Sequence, residues 1–196
     1  MDWLPQLDRC DDLEQLKEMS LQCRRCGLRE NARGVVFGEG DACATIMFVG
    51  EAPGADEDRL GRPFVGTAGQ LLDKILAAAG FARESVYITN VAKCRPPDNR
   101  LPKKEEAEAC FPYLIRQIEL IQPRILVCLG TLATQYLVYR EAKVALLRGQ
   151  VFEKGGIKII PTYHPAALLR DASKKKLVWQ DFQHIKELYD QLGGKA

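Results

Sequence analysis

Four short apolar runs constrain this chain more than any other feature. They are TIMFV (45–49), VYIT (86–89), ILVCL (125–129) and IKIIP (157–161), and stretches long enough for helices separate them. Strands that alternate with helices imply an α/β fold, here a three-layer α/β/α arrangement on a central, mostly parallel four-stranded sheet. Both faces of such a sheet are covered, so its strands read as continuous apolar runs. In open α/β sheets a ligand sits beyond the carboxyl ends of the strands. The unusual residues fall there: Gly50, Asn90, Gly130 and His164 each follow one of the four runs.

The helices have local signals. Asp11 or Asp12 can cap a helix over 11–22. Thr67 is expected to cap the next, with Leu71, Leu72, Ile75, Leu76 and Ala79 inward and Gly80 ending it. Pro102 is expected to open a charged helix at its first position, and Pro112 to kink or divide it. A further helix starts near Thr131, and a last one covers 174–192 with Leu177, Phe182, Ile185, Leu188 and Leu192 on its apolar side. No repeat, low-complexity stretch or linker breaks the chain, so 1–196 reads as one domain with its N-terminal helix tied down by cysteines.

A net charge of +2 names no partner. A nucleic-acid surface would have to come from local clusters, and two exist: Lys174, Lys175 and Lys176, and Arg95, Arg100, Lys103 and Lys104. Either could equally be a solvated face. The acidic N-terminus has no apolar leader core, and no segment is long enough to span a bilayer. Seven cysteines is an odd number for a disulfide framework and fits a reducing cytoplasm, with some thiols on a metal.

Cys23 and Cys26 form a CxxC pair after the first helix, while Cys94 and Cys110 flank the loop CRPPDNRLPKKEEAEAC. Four thiolates suit zinc or an iron–sulfur cluster. Otherwise Cys94 and Cys110 are ordinary buried thiols. Cys43 and Cys128, beside or within strands, read as core, and Cys10 has no evident role.

GEAPG at 50–54, followed by acidic residues and GRPFVGTAGQLLD, resembles the first motif of the family 4 uracil-DNA glycosylases. ITNVAKCRPPDNR (88–100) resembles their central motif and HPAALLR (164–170) their last, and the four cysteines match the family's cluster ligands. The resemblance runs in order from about Cys23 to Trp179. It implies a [4Fe–4S] cluster on Cys23, Cys26, Cys94 and Cys110, a monomer acting on uracil-containing DNA, and hydrolysis of the deoxyuridine N-glycosidic bond in base excision repair.

A flipped base needs a flat platform, an edge reader and a donor for the departing anion. Phe64 is expected to be the platform, unless it packs into the core. Asn90 is expected to read the uracil edge, unless it only turns the chain. His164 is expected to donate to uracil O2, unless it hydrogen-bonds within its loop. Gly50 and Ala52 should border the base, and the amides of Gly50 and Gly66, with Thr67, could meet its oxygens or a phosphate. The related family 1 enzymes carry an aspartate where Ala52 stands, so water must be placed by another group. Glu51 or Glu57 could place it or stabilise the oxocarbenium-like sugar; Glu57 is ranked slightly ahead, with shaping the pocket against a thymine methyl as the alternative task of Glu51. Leu168 or Leu169 would wedge into the gap in the stack, Arg170 would bind phosphate and Asn99 would support the DNA-facing loop. No lysine in a pocket motif is seen that could form a Schiff base, so no strand cut is expected. The competing readings are a broader-specificity, family 5-like glycosylase and a non-catalytic, metal-stabilised nucleic-acid-binding module.

Overall fold

The computed structural model describes Leu7 and residues 9–193. The central sheet is built from β2 (Ile46–Gly50), β3 (Tyr87–Asn90), β4 (Ile125–Leu129) and β6 (Ile157–Thr162), which are the four expected strands and are mutually parallel. Two short antiparallel strands extend its edges, β1 (Glu39–Gly40) on β3 and β5 (Phe152–Lys154) on β6, giving the order β1-β3-β2-β4-β6-β5. Sequence reading finds four strands rather than six because the outer two are short, mostly polar and only partly buried.

The strands' two-residue period sorts the core into two layers. Ile46, Phe48, Val127 and Ile160 face one side, against helices α3 (Thr67–Ala78), α6 (Pro165–Arg170) and α7 (Lys174–Gln191). Met47, Val49, Leu126 and Ile159 face the other, against α4 (Lys104–Ile121) and α5 (Thr131–Leu137). A third cluster joins helix α1 (Leu13–Leu21) to the segment after β3 through Leu16, Leu28, Ala92, Cys94 and Tyr113. Phe48 stacks on Phe182 at 5.8 Å between ring centroids, fixing the long C-terminal helix on the sheet. Among the described residues no helix is long and apolar enough to cross a membrane.

Four local expectations change. Gly66, not Thr67, caps α3, because its amide is held from outside by the Glu57 carboxylate. Pro102 lies before the cap of α4. The cap is Lys103, whose N–H donates to Glu106 at 2.7 Å, a bond that a proline could not make. Pro112 does not divide α4. It deprives only the carbonyl of exposed Glu108 of its donor, and the helix runs on to Ile121. Cys43 is exposed rather than core, whereas Cys128 is buried as expected.

Register decides where the loops meet. Gly50 is level with Asn90 and Leu129 with Thr162, so the loops after all four parallel strands open on one rim. The chain passes from β2 out to β3 and then returns to β4 on β2's other side. The order therefore switches between β2 and β4, and a crevice opens at such a switch.

Helix α3 reaches this rim only because Gly69 has no side chain. A Cβ there would lie 2.0 Å from the Phe64 carbonyl carbon and oxygen. Gly69→Ala should therefore displace the 61–66 loop and destabilise the protein by about 3 kcal/mol, the upper end of ordinary overpacking. Urea denaturation would show it, and an unchanged midpoint would contradict this packing.

Candidate active site

A cavity of about 640 Å³ opens at the rim, lined among others by Glu51, Ala52, Glu57, Phe64, Asn90 and His164. Asn99, Gly66, Thr67 and Arg170 also line it, so most of the singled-out residues share one cleft.

Its floor depends on two glycines. A Cβ on Gly50 would meet Asn90 Oδ1 at 2.3 Å and Phe64 Cζ at 2.6 Å. One on Gly130, whose φ is +101°, would meet Glu51 Oε1 at 2.6 Å and His164 Cβ at 3.2 Å.

Asn90 ends β3 with 1% of its surface exposed, and its Oδ1 has no hydrogen-bond partner. An orphaned buried acceptor is expensive, and its presence beside a cavity marks where a donor belongs. Its main chain is braced from behind: Lys93 Nζ donates to the Asn90 carbonyl at 2.7 Å, to Thr89 Oγ1 at 2.6 Å and to Gln117 Oε1 at 2.6 Å. Lys93 was not singled out from the sequence, although its apolar neighbours Val91, Ala92 and Cys94 are the signal of a buried lysine. Burial pushes its ammonium down to about 7. It lies behind the cavity, and among the described residues no lysine lines the cavity itself.

Phe64 belongs to the core and also borders the cavity. It is 5% exposed, packs with Leu72 and Leu76, and lines the cavity. Its ring centroid is 5.4 Å from that of His164, at a tilt of 31°. Its φ of +52° is rare for a bulky side chain, and such strain persists only where the surroundings impose it. They do so here through Glu57, which accepts from Val65 N and Gly66 N at 2.8 Å and from Gly54 N at 3.1 Å. Arg83 adds bonds to the carbonyls of Pro63 at 2.6 Å and Phe64 at 3.3 Å while paired with Glu39 and Asp73. No sequence signal links Arg83 to Glu39, since 44 residues separate them.

The two carboxylates are held differently. Both oxygens of Glu57 are committed to backbone amides, so it holds the loop. Glu51 Oε1 accepts from Leu132 N at 3.1 Å at the start of α5, and its carboxylate stands in the cleft against Gly130. Burial raises its pKa, against the lowering effect of the α5 amides and Arg170.

His164 caps α6: its Nδ1 accepts from Ala166 N at 3.1 Å. In the neutral ring this puts the proton on Nε2. Burial first, and the Arg170 charge second, push its pKa down to about 4. The only other histidine, His184, is exposed on α7.

The two leucines of the last motif part company. Leu168 is 2% exposed in the core beneath α6, which removes it from any DNA-contacting role, whereas Leu169 is 50% exposed. Asn99 accepts from Arg95 Nε at 2.8 Å within the loop after β3.

Cys23, Cys26, Cys94 and Cys110 line a second, small cavity of about 20 Å³, together with Arg25, Arg29 and Lys93. Among the described residues no three His, Cys, Asp or Glu side chains are gathered as a metal-holding group. The arrangement is four thiols facing one space rather than a closed coordination shell. Its chemistry nonetheless fits a thiolate-ligated group. The cations offset thiolate charge, and backbone amides reach two sulfurs, Lys93 N to Cys110 Sγ at 3.2 Å and Leu28 N and Arg29 N to Cys26.

Comparison with known proteins gives a family match, described as the uracil DNA glycosylase superfamily, over residues 37–191. A protein of Sulfurisphaera tokodaii named Type-4 uracil-DNA glycosylase is 44% identical over 187 residues, covering 91% of this chain and 85% of its own. Proteins of the same name from Archaeoglobus fulgidus and Thermotoga maritima are 44% and 43% identical, covering 91% and 92% of this chain and 94% and 96% of theirs.

The low pKa of His164 has a thermodynamic consequence. Between about 6.5, the ordinary value, and about 4, the unfolded chain binds a proton that the folded chain does not. Stability should therefore fall as pH drops through that window, by up to about 3 kcal/mol from this group. His164→Asn keeps a capping oxygen for Ala166 N but cannot titrate. Urea unfolding at pH 7 and pH 4.5 should show a smaller loss for this variant than for the wild type, and equal losses would contradict the assignment.

Proposed function

The chain belongs to the uracil DNA glycosylase superfamily, and from that premise we propose that it is a uracil-DNA glycosylase of DNA repair. It is a hydrolase that opens the N-glycosidic bond of deoxyuridine and leaves an abasic site. In this reading 1–196 acts as one domain and as a monomer on uracil-containing DNA, in a reducing cytoplasm that suits an odd count of seven cysteines.

The orphaned acceptor of Asn90 carries this reading. With the base extruded into the cleft, Oδ1 accepts from uracil N3–H and the amide N–H donates to O4. Cytosine has a bare N3 lone pair there, so two acceptors would face each other, a difference of about 1–3 kcal/mol. Phe64 supplies the stacking face, worth about 1–3 kcal/mol. As the glycosidic bond breaks, negative charge gathers on O2 and positive character on the sugar. The Nε2–H of neutral His164 donates to O2, and its tautomer is already set by the α6 cap. Glu51 faces the sugar side, where its carboxylate orients water and stabilises the oxocarbenium-like centre. Arg170 binds phosphate, and Leu169 fills the gap in the stack. A cavity wall without lysine supports a monofunctional enzyme.

Cys23, Cys26, Cys94 and Cys110 would hold a [4Fe–4S] cluster, whose contribution is mechanical: it ties the N-terminal segment to the loop after β3. Iron and sulfide analysis of the purified protein should find the cluster, and a colourless protein with stoichiometric zinc would exclude it.

The activity test is a uracil-containing oligonucleotide followed by alkaline strand scission. His164→Ala should lower kcat by about 10²–10³-fold, the loss typical of an oxyanion donor. Asn90→Ala should erode the preference for uracil over cytosine by about tenfold or more. Glu51→Gln should cut kcat without lowering the melting temperature, because burial already disfavours its charge. Glu57→Ala should instead lower stability by roughly 2 kcal/mol or more, because it strands three amides. The reverse pattern for the two carboxylates would overturn their assignment. Release of hypoxanthine or thymine would favour a broader-specificity enzyme, and no abasic product would favour a binding module.

A further inference from the structure

One side chain on the cavity wall has no part in the chemistry above. Leu101 lines the cleft and is 57% exposed, although its loop is pinned by polar contacts. Arg100 binds Glu106 with both terminal nitrogens, at 2.8 and 2.7 Å, and donates to the Leu101 carbonyl at 2.9 Å. Two consecutive left-handed residues, Asp98 and Asn99, turn the chain just before it, and buried Pro102 anchors the other side. Single exposed leucines are ordinary, and Leu146 is more exposed still, but this one is held in place on the cavity wall, where a bound strand would meet it.

The sheet order places Leu101 relative to Leu169. Leu101 follows β3 and Leu169 follows β6, and these strands stand three spacings apart, about 14 Å. Leu101 lines the cleft from the β3 side, whereas exposed Leu169, in the helix after β6, does not line it. Exposed cations follow each leucine closely in the chain, Lys103 and Lys104 after Leu101 and Arg170 after Leu169. A strand whose nucleotide enters this cleft carries its neighbouring nucleotides across the cleft mouth. The base next to the inserted nucleotide, one phosphate away, comes within reach of a residue on the cavity wall.

We propose that Leu101 is a second DNA-contacting residue, which packs against the nucleobase adjacent to the extruded deoxyuridine. This rests on the glycosylase reading. It gives Leu101 a role distinct from Leu169: Leu101 holds a neighbouring base of the same strand, whether or not a complementary strand is present.

The test is a double-mutant cycle between protein and DNA. Wild type and Leu101→Ala are compared on single-stranded oligonucleotides that carry one deoxyuridine, with the neighbouring nucleotide intact or replaced by a tetrahydrofuran abasic analogue on the 5′ or the 3′ side. Leu101→Ala should raise KM by about tenfold on the intact strand, with inhibition by free uracil unchanged. Removing the neighbouring base on one side should cost the wild type a similar factor and the variant little. If the variant matches wild type on the intact strand, or if both neighbour deletions cost the two proteins equally, the proposal is wrong. If wild type releases no uracil from any strand, the glycosylase reading itself fails, which is a separate and recognisable result.

Discussion

The cleft exists because three positions around it lack a side chain. Gly50, Gly69 and Gly130 each sit where a Cβ would strike a group the site needs: the Asn90 oxygen, the Phe64 carbonyl and the Glu51 carboxylate. Gly50 and Gly130 end or follow neighbouring parallel strands at the point where the strand order switches, so the close approach is a consequence of topology. The rest of the site is a response to the space so created. Arg83 and Glu57 hold a strained aromatic over it, and the α6 cap turns an imidazole along its wall.

The electrostatics follow from the same enclosure. A histidine within reach of Arg170 and screened from water is kept neutral, which would be a defect if its task were to carry charge. A neutral ring with its Nδ1 occupied is a fixed donor at Nε2, and a fixed donor needs no reorganisation when charge develops opposite it. Glu51 is tuned the other way, with burial opposing its charge while the amides at the start of α5 and Arg170 favour it. The imidazole and the carboxylate both border Gly130, so one residue without a side chain fixes their placement relative to each other.

The sequence made the parallel core legible because each buried strand is an unbroken apolar run, and it made the rim legible because Gly50, Asn90, Gly130 and His164 interrupt those runs at their ends. It could not rank Glu51 against Glu57, since the difference lies in which backbone amides each carboxylate meets. Those amides belong to residues 3, 8 and 9 positions away for Glu57 and 81 away for Glu51. Leu168 and Leu169 are likewise equivalent as letters and opposite in space, one turned into the core and one into solvent. The edge strands were missed because at two or three residues they show no period at all.

Lys93 joins the two cavities into one construction. Its backbone N–H reaches the Cys110 sulfur, and its side chain reaches the carbonyl of Asn90, so a single residue spans from the thiol-lined cavity to the base-reading strand end. The acceptors around its Nζ (a hydroxyl, a carbonyl and a carboxamide oxygen) are all neutral, so a buried ammonium there lacks an adjacent carboxylate. Cys110 favours the lysine's proton, against the burial that disfavours it. The thiol-lined cavity and the end of β3 are thus coupled through one residue, so a change at Cys110 reaches the Asn90 carbonyl by way of Lys93.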